Sequence, residues 1–251
     1  MKQTNIIVKK ILKNKWKIIN IEQLKKIFQD LEAEKSFYKK IFHLKNKWYL
    51  VSIKKDLFYV KEPHIEIDEE EIIDQFYRKI LHKYVKENFL NKYFIWGVKA
   101  LEIWNNNFST PDKITIVNPY KRATETLLKW KKIFNTTYTI KWFDLDKSFR
   151  YFKKQTEKLD INWKKFIVAN YELSLLESLY SPNFLEQKYI EELIKKNIRK
   201  NHKRISIEVF EYFLKVWKYG SACKRLYEIS LQIRPEFAEK LKKILLKWYW
   251  L

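Results

Sequence analysis

Residues 47–60 read KWYLVSIKKDLFYV. Two short runs of β-branched and aromatic residues, Trp48 to Ile53 and Leu57 to Val60, flank a charged Lys54-Lys55-Asp56 tip. That is the pattern of a β-hairpin. A tight turn favours a residue that tolerates a left-handed backbone, and Asp is second to Gly in that role. Two lysines at such a tip cost little in water. Beside a polyanion each neutralised phosphate would release counterions.

Upstream of the hairpin the apolar spacing is helical. Ile6, Ile7, Ile11 and Leu12 predict a helix over about 3–15. Residues 16–20, WKIIN, break that period. Asn20 with Gln23 three residues on has the geometry of a polar capping box. It opens a short helix with Ile21, Leu24, Ile27 and Phe28 on one face. Asp30 is placed to cap a third helix over 31–46, with Phe37, Ile41 and Leu44 inward and Phe42 flanking them. Three helices followed by a hairpin, within some sixty residues, is the order of a winged helix-turn-helix. Its third helix is the one expected in a major groove. On that helix Lys35, Ser36, Lys39, Lys40 and His43 are expected on the outer, DNA-facing side, and Lys54 and Lys55 at the wing tip.

Charge supports this placement. The 251-residue chain carries a formal charge of +22. Residues 1–62 hold 16 Lys+Arg against 6 Asp+Glu, residues 63–120 hold 7 against 9, and the remainder holds 29 against 15. A small, strongly basic first segment suits a polyanion partner. Three explanations compete for the C-terminal excess: a Lys-rich composition, an extended DNA footprint, or the docking of an acidic partner. No apolar run approaches the ~18–20 residues of a membrane span, and Met1 to Lys17 lack the apolar core of a secretory signal. Cys223 is the sole cysteine, which excludes an intramolecular disulfide. A cytoplasmic protein is expected.

Downstream, 61–71 (KEPHIEIDEEE) reads as a boundary. Pro63 stops the strand, and Glu69 to Glu71 suit the N-terminus of a helix running to about Asn88. A metal site from His64, Glu66 and Asp68 is the alternative to a solvated linker run. A strand into Gly97 precedes a helix, and DKITIVN (112–118) is a strand with Ile114, Ile116 and Asn118 on one face. KRATETLLKWKKIF (121–134) reads as a helix and TYTIKWFDL as a strand. After WKKFIVAN the chain turns helical: YELSLLESLYS, then 185–199, 206–219, 221–232 and 235–248. Pro235 suits a helix start and Gly220 a C-cap. The terminal LKKILLKWYWL needs burial, in this chain or in a second copy. Trp16, Trp96, Trp104, Trp130, Trp142 and Trp163 could stack bases; core packing is the competing role for each.

Three stretches in this order resemble the AbiEi-type antitoxin and transcriptional regulator family of type IV toxin–antitoxin, or abortive-infection, systems. They are LKNKWYLVSIKKDLFYV, YFIWGVKALEIWNNNFSTPDKITIVNP and FIVANYELSLLESLYSP. The chain departs from the family pattern at Trp48 and Asp56, where glycine is usual, and at Ser52, where arginine is common. The resemblance implies a repressor that binds its own promoter as double-stranded DNA and an antitoxin that counteracts a nucleotidyltransferase-type toxin of the same operon. No enzyme activity, cofactor or metal is expected, and a monomer and a homodimer both stay open.

The expected architecture is α+β. An N-terminal winged helix-turn-helix (1–62) is followed by an acidic linker and connecting helix (63–91), then a mixed α/β domain ending in a helical region (92–251). Two alternatives stay open. One is a degenerate nucleotidyltransferase-fold enzyme. Strand–Gly97–helix–strand matches such a fold, but Gly97-Val98-Lys99 stands where active members carry Gly-Ser or Gly-Gly. Asp112 has Thr115 and Val117 beside it where the second metal-binding carboxylate is needed. The other is a partner-binding protein whose winged helix no longer touches DNA. No Gly-x-Ser-x-Gly elbow, phosphate loop or H-E-x-x-H pattern exists, and His43, His64, His82 and His202 lie far apart. Cys223 reads as a packed thiol.

Overall fold

The computed structural model describes residues 2–28, 34–161, 163–180, 187–216 and 219–249. The chain forms two compact units, Met1–Leu81 with Thr126–Lys131, and His82–Glu125 with Lys132–Leu251. The fold is mixed α+β.

In the first unit the elements run α1 (Lys2–Leu12), β1 (Ile18–Asn20), α2 (Ile21–Phe28), α3 (Glu34–Asn46), β2 (Leu50–Lys54) and β3 (Leu57–Val60). The expected hairpin forms, but its first strand starts at Leu50 rather than Trp48 and includes Lys54, so only Lys55 and Asp56 lie outside the strands. The three-residue β1, too short to carry a period, falls in the stretch read only as a break. It pairs antiparallel with β3, Ile18 opposite Tyr59 and Asn20 opposite Leu57, giving the sheet order β1-β3-β2. This is winged-helix topology.

Asn20 does cap α2. The Gln23 N–H donates to Asn20 Oδ1 at 2.8 Å, and the Asn20 N–H donates to Gln23 Oε1 at 2.9 Å. The box satisfies an otherwise orphaned helix donor. The expected Asp30 cap lies outside the described residues. Ile7, Ile11, Leu24, Phe28, Phe37, Ile41, Leu44 and Leu50 form one core with Phe58 and Val60. Phe28 meets Phe37 edge-on at 5.3 Å. Burying each such side chain contributes about 1.5–3 kcal/mol. On the opposite face of β3, Tyr59 contacts Trp16 and Phe76, so the central strand is covered on both sides. The edge strand β2 is closed in part by Lys129, whose N–H donates to the Ile53 carbonyl at 3.0 Å. An unpaired edge would otherwise template further pairing.

The division between the units falls within α4 (Glu69–Phe89), downstream of Pro63. Asp68 accepts the Glu70 N–H at 3.1 Å, so the acidic run starts the helix as read.

The second unit contains β4 (Phe94–Ile95), α5 (Gly97–Trp104), β5 (Lys113–Val117), β6 (Ala123–Leu128), β7 (Lys131–Thr136), α6 (Leu145–Lys153), β8 (Thr156–Ile161) and β9 (Lys164–Ala169). The outer parts of β6 and β7 belong to the first unit. The sheet order is β6-β7-β5-β4-β9-β8. Strand β5 runs parallel to β7, and β4 parallel to β9; β4 is antiparallel to β5, and β8 to β9. Helices α7 (Tyr171–Tyr180), α8 (Gln187–Asn201), α9 (Ile207–Leu214), α10 (Gly220–Leu231) and α11 (Pro235–Trp248) complete it. Helix α7 is buried from Tyr171 to Leu179 and packs on α5 and α10.

Three expectations here are corrected. Residues 121–134 are strands, not a helix. The burial along β7 alternates through Lys131, Ile133 and Asn135, a period of two that its polar inward residues conceal. TYTIKWFDL is not a strand; β7 ends at Thr136, and Tyr138 and Ile140 are buried outside regular structure. Gly220 begins α10 rather than ending a helix, and a side chain there would collide with the Tyr249 ring.

Candidate nucleic-acid interface

Helix α3 is fixed at its C-terminal end by backbone geometry. The Trp48 N–H donates to the Lys45 carbonyl and the Tyr49 N–H to the Leu44 carbonyl, each at 3.0 Å, and Trp48 has φ 62°. This is the Schellman arrangement, with Trp48 in the left-handed position that glycine normally fills. The Trp48 ring lies under the Lys61 ammonium at 5.6 Å.

With Phe37, Ile41 and Leu44 buried, the opposite stripe at i, i+3, i+4 and i+7 is Lys39, Phe42, His43 and Asn46, all exposed. The expected outer placement therefore holds for Lys39 and His43. Ser36 and Lys40 differ: both are half-buried, and the Ser36 hydroxyl and the Lys40 ammonium are shielded from water without a hydrogen-bond partner. Lys40 sits one residue before buried Ile41, on the flank of the core stripe, not opposite it. Lys35 lies on α3, with its side chain outside the described set. Phe42, read as flanking the core, points away from it and is 64% exposed.

At the wing, Lys54 and Lys55 are exposed as expected. The β2–β3 register slips between Ser52 and Lys54, and Asp56 has φ 60°. The slip marks a bulge at Ile53 of β2, and Asp56 supplies the left-handed backbone of a two-residue tip. The Asp56 carbonyl accepts the Ile21 N–H at 3.0 Å, which ties the wing tip to the start of α2. A groove of about 440 Å³ runs between α3 and the wing, lined by Lys45, Asn46, Trp48, Ser52, Glu69 and Lys129. Lys129 is paired with Glu69. The α3 sequence holds a single carboxylate, Glu34, at its first position.

The strand–Gly97–helix unit has the shape read from sequence, with Gly97 at φ 67° and β4 antiparallel to β5. The Lys99 ammonium is engaged by its own neighbours: Glu102 at 2.7 Å, the Ser109 hydroxyl at 3.3 Å and the Asn107 carbonyl at 3.4 Å. On β5, Thr115 is half-buried and Val117 buried, and Asp112 precedes the strand. Among the described residues no group of three His, Cys, Asp or Glu is placed to hold a metal ion. Two buried carboxylates on α7 are taken up in the packing. Glu172 accepts the Ser206 N–H at 2.7 Å and is pushed up by burial. Glu177 accepts the hydroxyls of Tyr138, at 2.7 Å, and Tyr219. Burial pushes the Cys223 thiol up to about 12, the opposite of a nucleophile's tuning. Of the described tryptophans, Trp142 and Trp163 are the most exposed, and Trp96 stacks on Tyr138 at 3.9 Å. Among the described residues no helix is long and apolar enough to cross a membrane.

No family model matches the chain, and no curated protein matches it. The crystal structure of the RV2827C protein from Mycobacterium tuberculosis is similar, with a TM-score of 0.58 over 97% of this chain and 82% of that one. The two sequences are 14% identical, so the likeness is one of fold.

Proposed function

We propose that this protein is a non-enzymatic, duplex-DNA-binding transcriptional repressor that acts on its own promoter. The observation that carries the reading is the exposed stripe Lys39, Phe42, His43 and Asn46 on α3, flanked by Lys54 and Lys55 at a wing tied to the same core. A winged helix with a cationic third helix can place that helix in the major groove, while the wing lysines meet phosphate. The antitoxin role rests on the order of the three stretches that resemble AbiEi-type proteins; within it the second unit would counteract a nucleotidyltransferase-type toxin of the same operon.

The test of DNA binding is a salt titration of promoter and random duplexes. Lys54→Ala with Lys55→Ala should weaken both duplexes alike. It should also flatten the slope of log K against log salt by about one to two units, at ~0.9 for each phosphate no longer neutralised. An unchanged slope would remove the wing from the interface. For the antitoxin role, co-expression with the operon's toxin should restore growth; continued arrest at equal expression would end that part of the reading.

A further inference from the structure

We infer that Phe42 reads the 5-methyl group of a thymine in the major groove, which makes it a specificity-determining residue of the DNA interface. The inference rests on the duplex-binding reading above. Phe42 is 64% exposed on a helix whose inward stripe already carries Phe37 and Ile41, so it contributes nothing to that core. It lies about 130° around the helix from the centre of that stripe, at ~100° per residue. Lys39 precedes it by one turn, His43 adjoins it and Asn46 follows by one turn.

A large apolar side chain amid cations is costly in water and gains when covered. The exposed cations of this stripe select a polyanionic cover, and the one carboxylate in the α3 sequence, Glu34, lies at its first residue, about two turns before Phe42. Among base edges in the major groove the thymine methyl is the one apolar feature, and a phenyl ring has no donor or acceptor with which to read any other. Asn46, four residues on, presents the amide that pairs with adenine N6 and N7. The recognised step would therefore contain a thymine within one or two base pairs of an adenine, at ~1.5 Å of helix rise per residue.

The experiment uses the full chain. Duplexes are selected by wild type from a random library, and each thymine is then replaced in turn by deoxyuridine, which removes only the methyl. Wild type should lose about three- to fivefold in affinity at one position of the half-site, the worth of one methyl withdrawn from water. Phe42→Ala should bind thymine and uracil versions of that site alike, Phe42→Leu should retain part of the difference, and both should melt at the wild-type temperature. A uracil scan that is flat at every position, with salt-dependent binding to duplexes intact, overturns the inference and leaves the DNA-binding reading standing. Absence of binding to any duplex overturns both. If Phe42→Ala converts a dimer to a monomer and leaves the methyl dependence unchanged, the ring belongs to an interface between copies and the inference fails.

Discussion

At the scale of single residues, the most informative are two that hold a left-handed backbone without being glycine. Trp48 and Asp56 have φ 62° and 60°. An L-residue pays about 1–2 kcal/mol for that conformation, Asp less because its side chain bonds locally. Trp48→Gly should therefore stabilise the protein by about 0.5–1 kcal/mol, after subtracting the attraction between its ring and the Lys61 ammonium. Asp56→Gly should give a smaller gain. Chemical denaturation measures both, and a loss of stability in Trp48→Gly would mean that the ring's packing outweighs the strain. Lys153 illustrates a different cost. Burial, then the charge of Lys158, lowers its ammonium to about 8, and it donates to the Tyr93 carbonyl at 3.0 Å. The unfolded lysine titrates near ~10.4. Between these values the unfolded chain binds more protons, so this group's contribution to stability rises with pH. The difference in unfolding free energy between wild type and Lys153→Met should grow in favour of wild type by about 1 kcal/mol from pH 7.5 to 10, a figure already reduced for the lysine's partial solvation. Taking the difference cancels the opposing titrations of buried Cys223 and the tyrosines. A flat difference would place the Lys153 ammonium in water.

At the scale of elements, legibility followed the number of residues that carry each signal. The reciprocal bonds of Asn20 and Gln23 were readable because capping needs two polar residues at one fixed spacing. The β2–β3 hairpin was readable because both strands are rich in β-formers around one polar tip. Strand β1 has three residues and no period to show. The β6–β7 pair was hidden because buried Lys131 and Asn135 occupy inward positions, which left Leu127, Leu128 and Ile133 to suggest a helix. Within the candidate site, Lys39 and His43 could be placed from the helical period alone. Phe42 was missed because an aromatic near two core residues reads as core until its angle is counted. The role of Gly220 was missed for a similar reason, since it was expected to end the preceding helix rather than to begin α10. There the constraint comes from outside the element: the Tyr249 ring covers Gly220, and no local pattern announces it. Gly220→Ala should destabilise wild type by about 1 kcal/mol through displacement of that ring. In a Tyr249→Ala background the same change should be neutral or stabilising, since Ala favours a helix over Gly. Additive effects in the double-mutant cycle would show that the two residues do not touch.

At the scale of the whole molecule, the arrangement of cores bears on how much chain the DNA-binding unit needs. Residues 1–62 contain the full set of helices and strands of a winged helix, and Ile7, Ile11, Leu24, Phe28, Phe37, Ile41, Leu44 and Leu50 pack in one core. A domain of ~60 residues is marginal in stability because it buries a small fraction of its surface. The first unit adds to it. It runs on to Leu81 and includes Ile72, Ile73 and Tyr77 of α4, which are buried, and Phe76, which meets Tyr59 at 5.7 Å. Cutting at 62 would remove Phe76 from the outer face of β3 and leave Trp16 as the aromatic partner of Tyr59. Cutting after Phe89 keeps α4 whole. The fragment 1–89 should therefore melt cooperatively and well above the fragment 1–62, by roughly 10 °C or more, since one or two buried side chains at about 1.5–3 kcal/mol each move a small domain that far. Both fragments retain Lys39, Phe42, His43, Lys54 and Lys55, so at a temperature where both are folded they should bind random duplex with the same salt slope. Equal melting temperatures would show that α4 adds nothing to the winged helix. A steeper slope for the full chain than for 1–89 would locate further phosphate contacts in the basic C-terminal part of the chain.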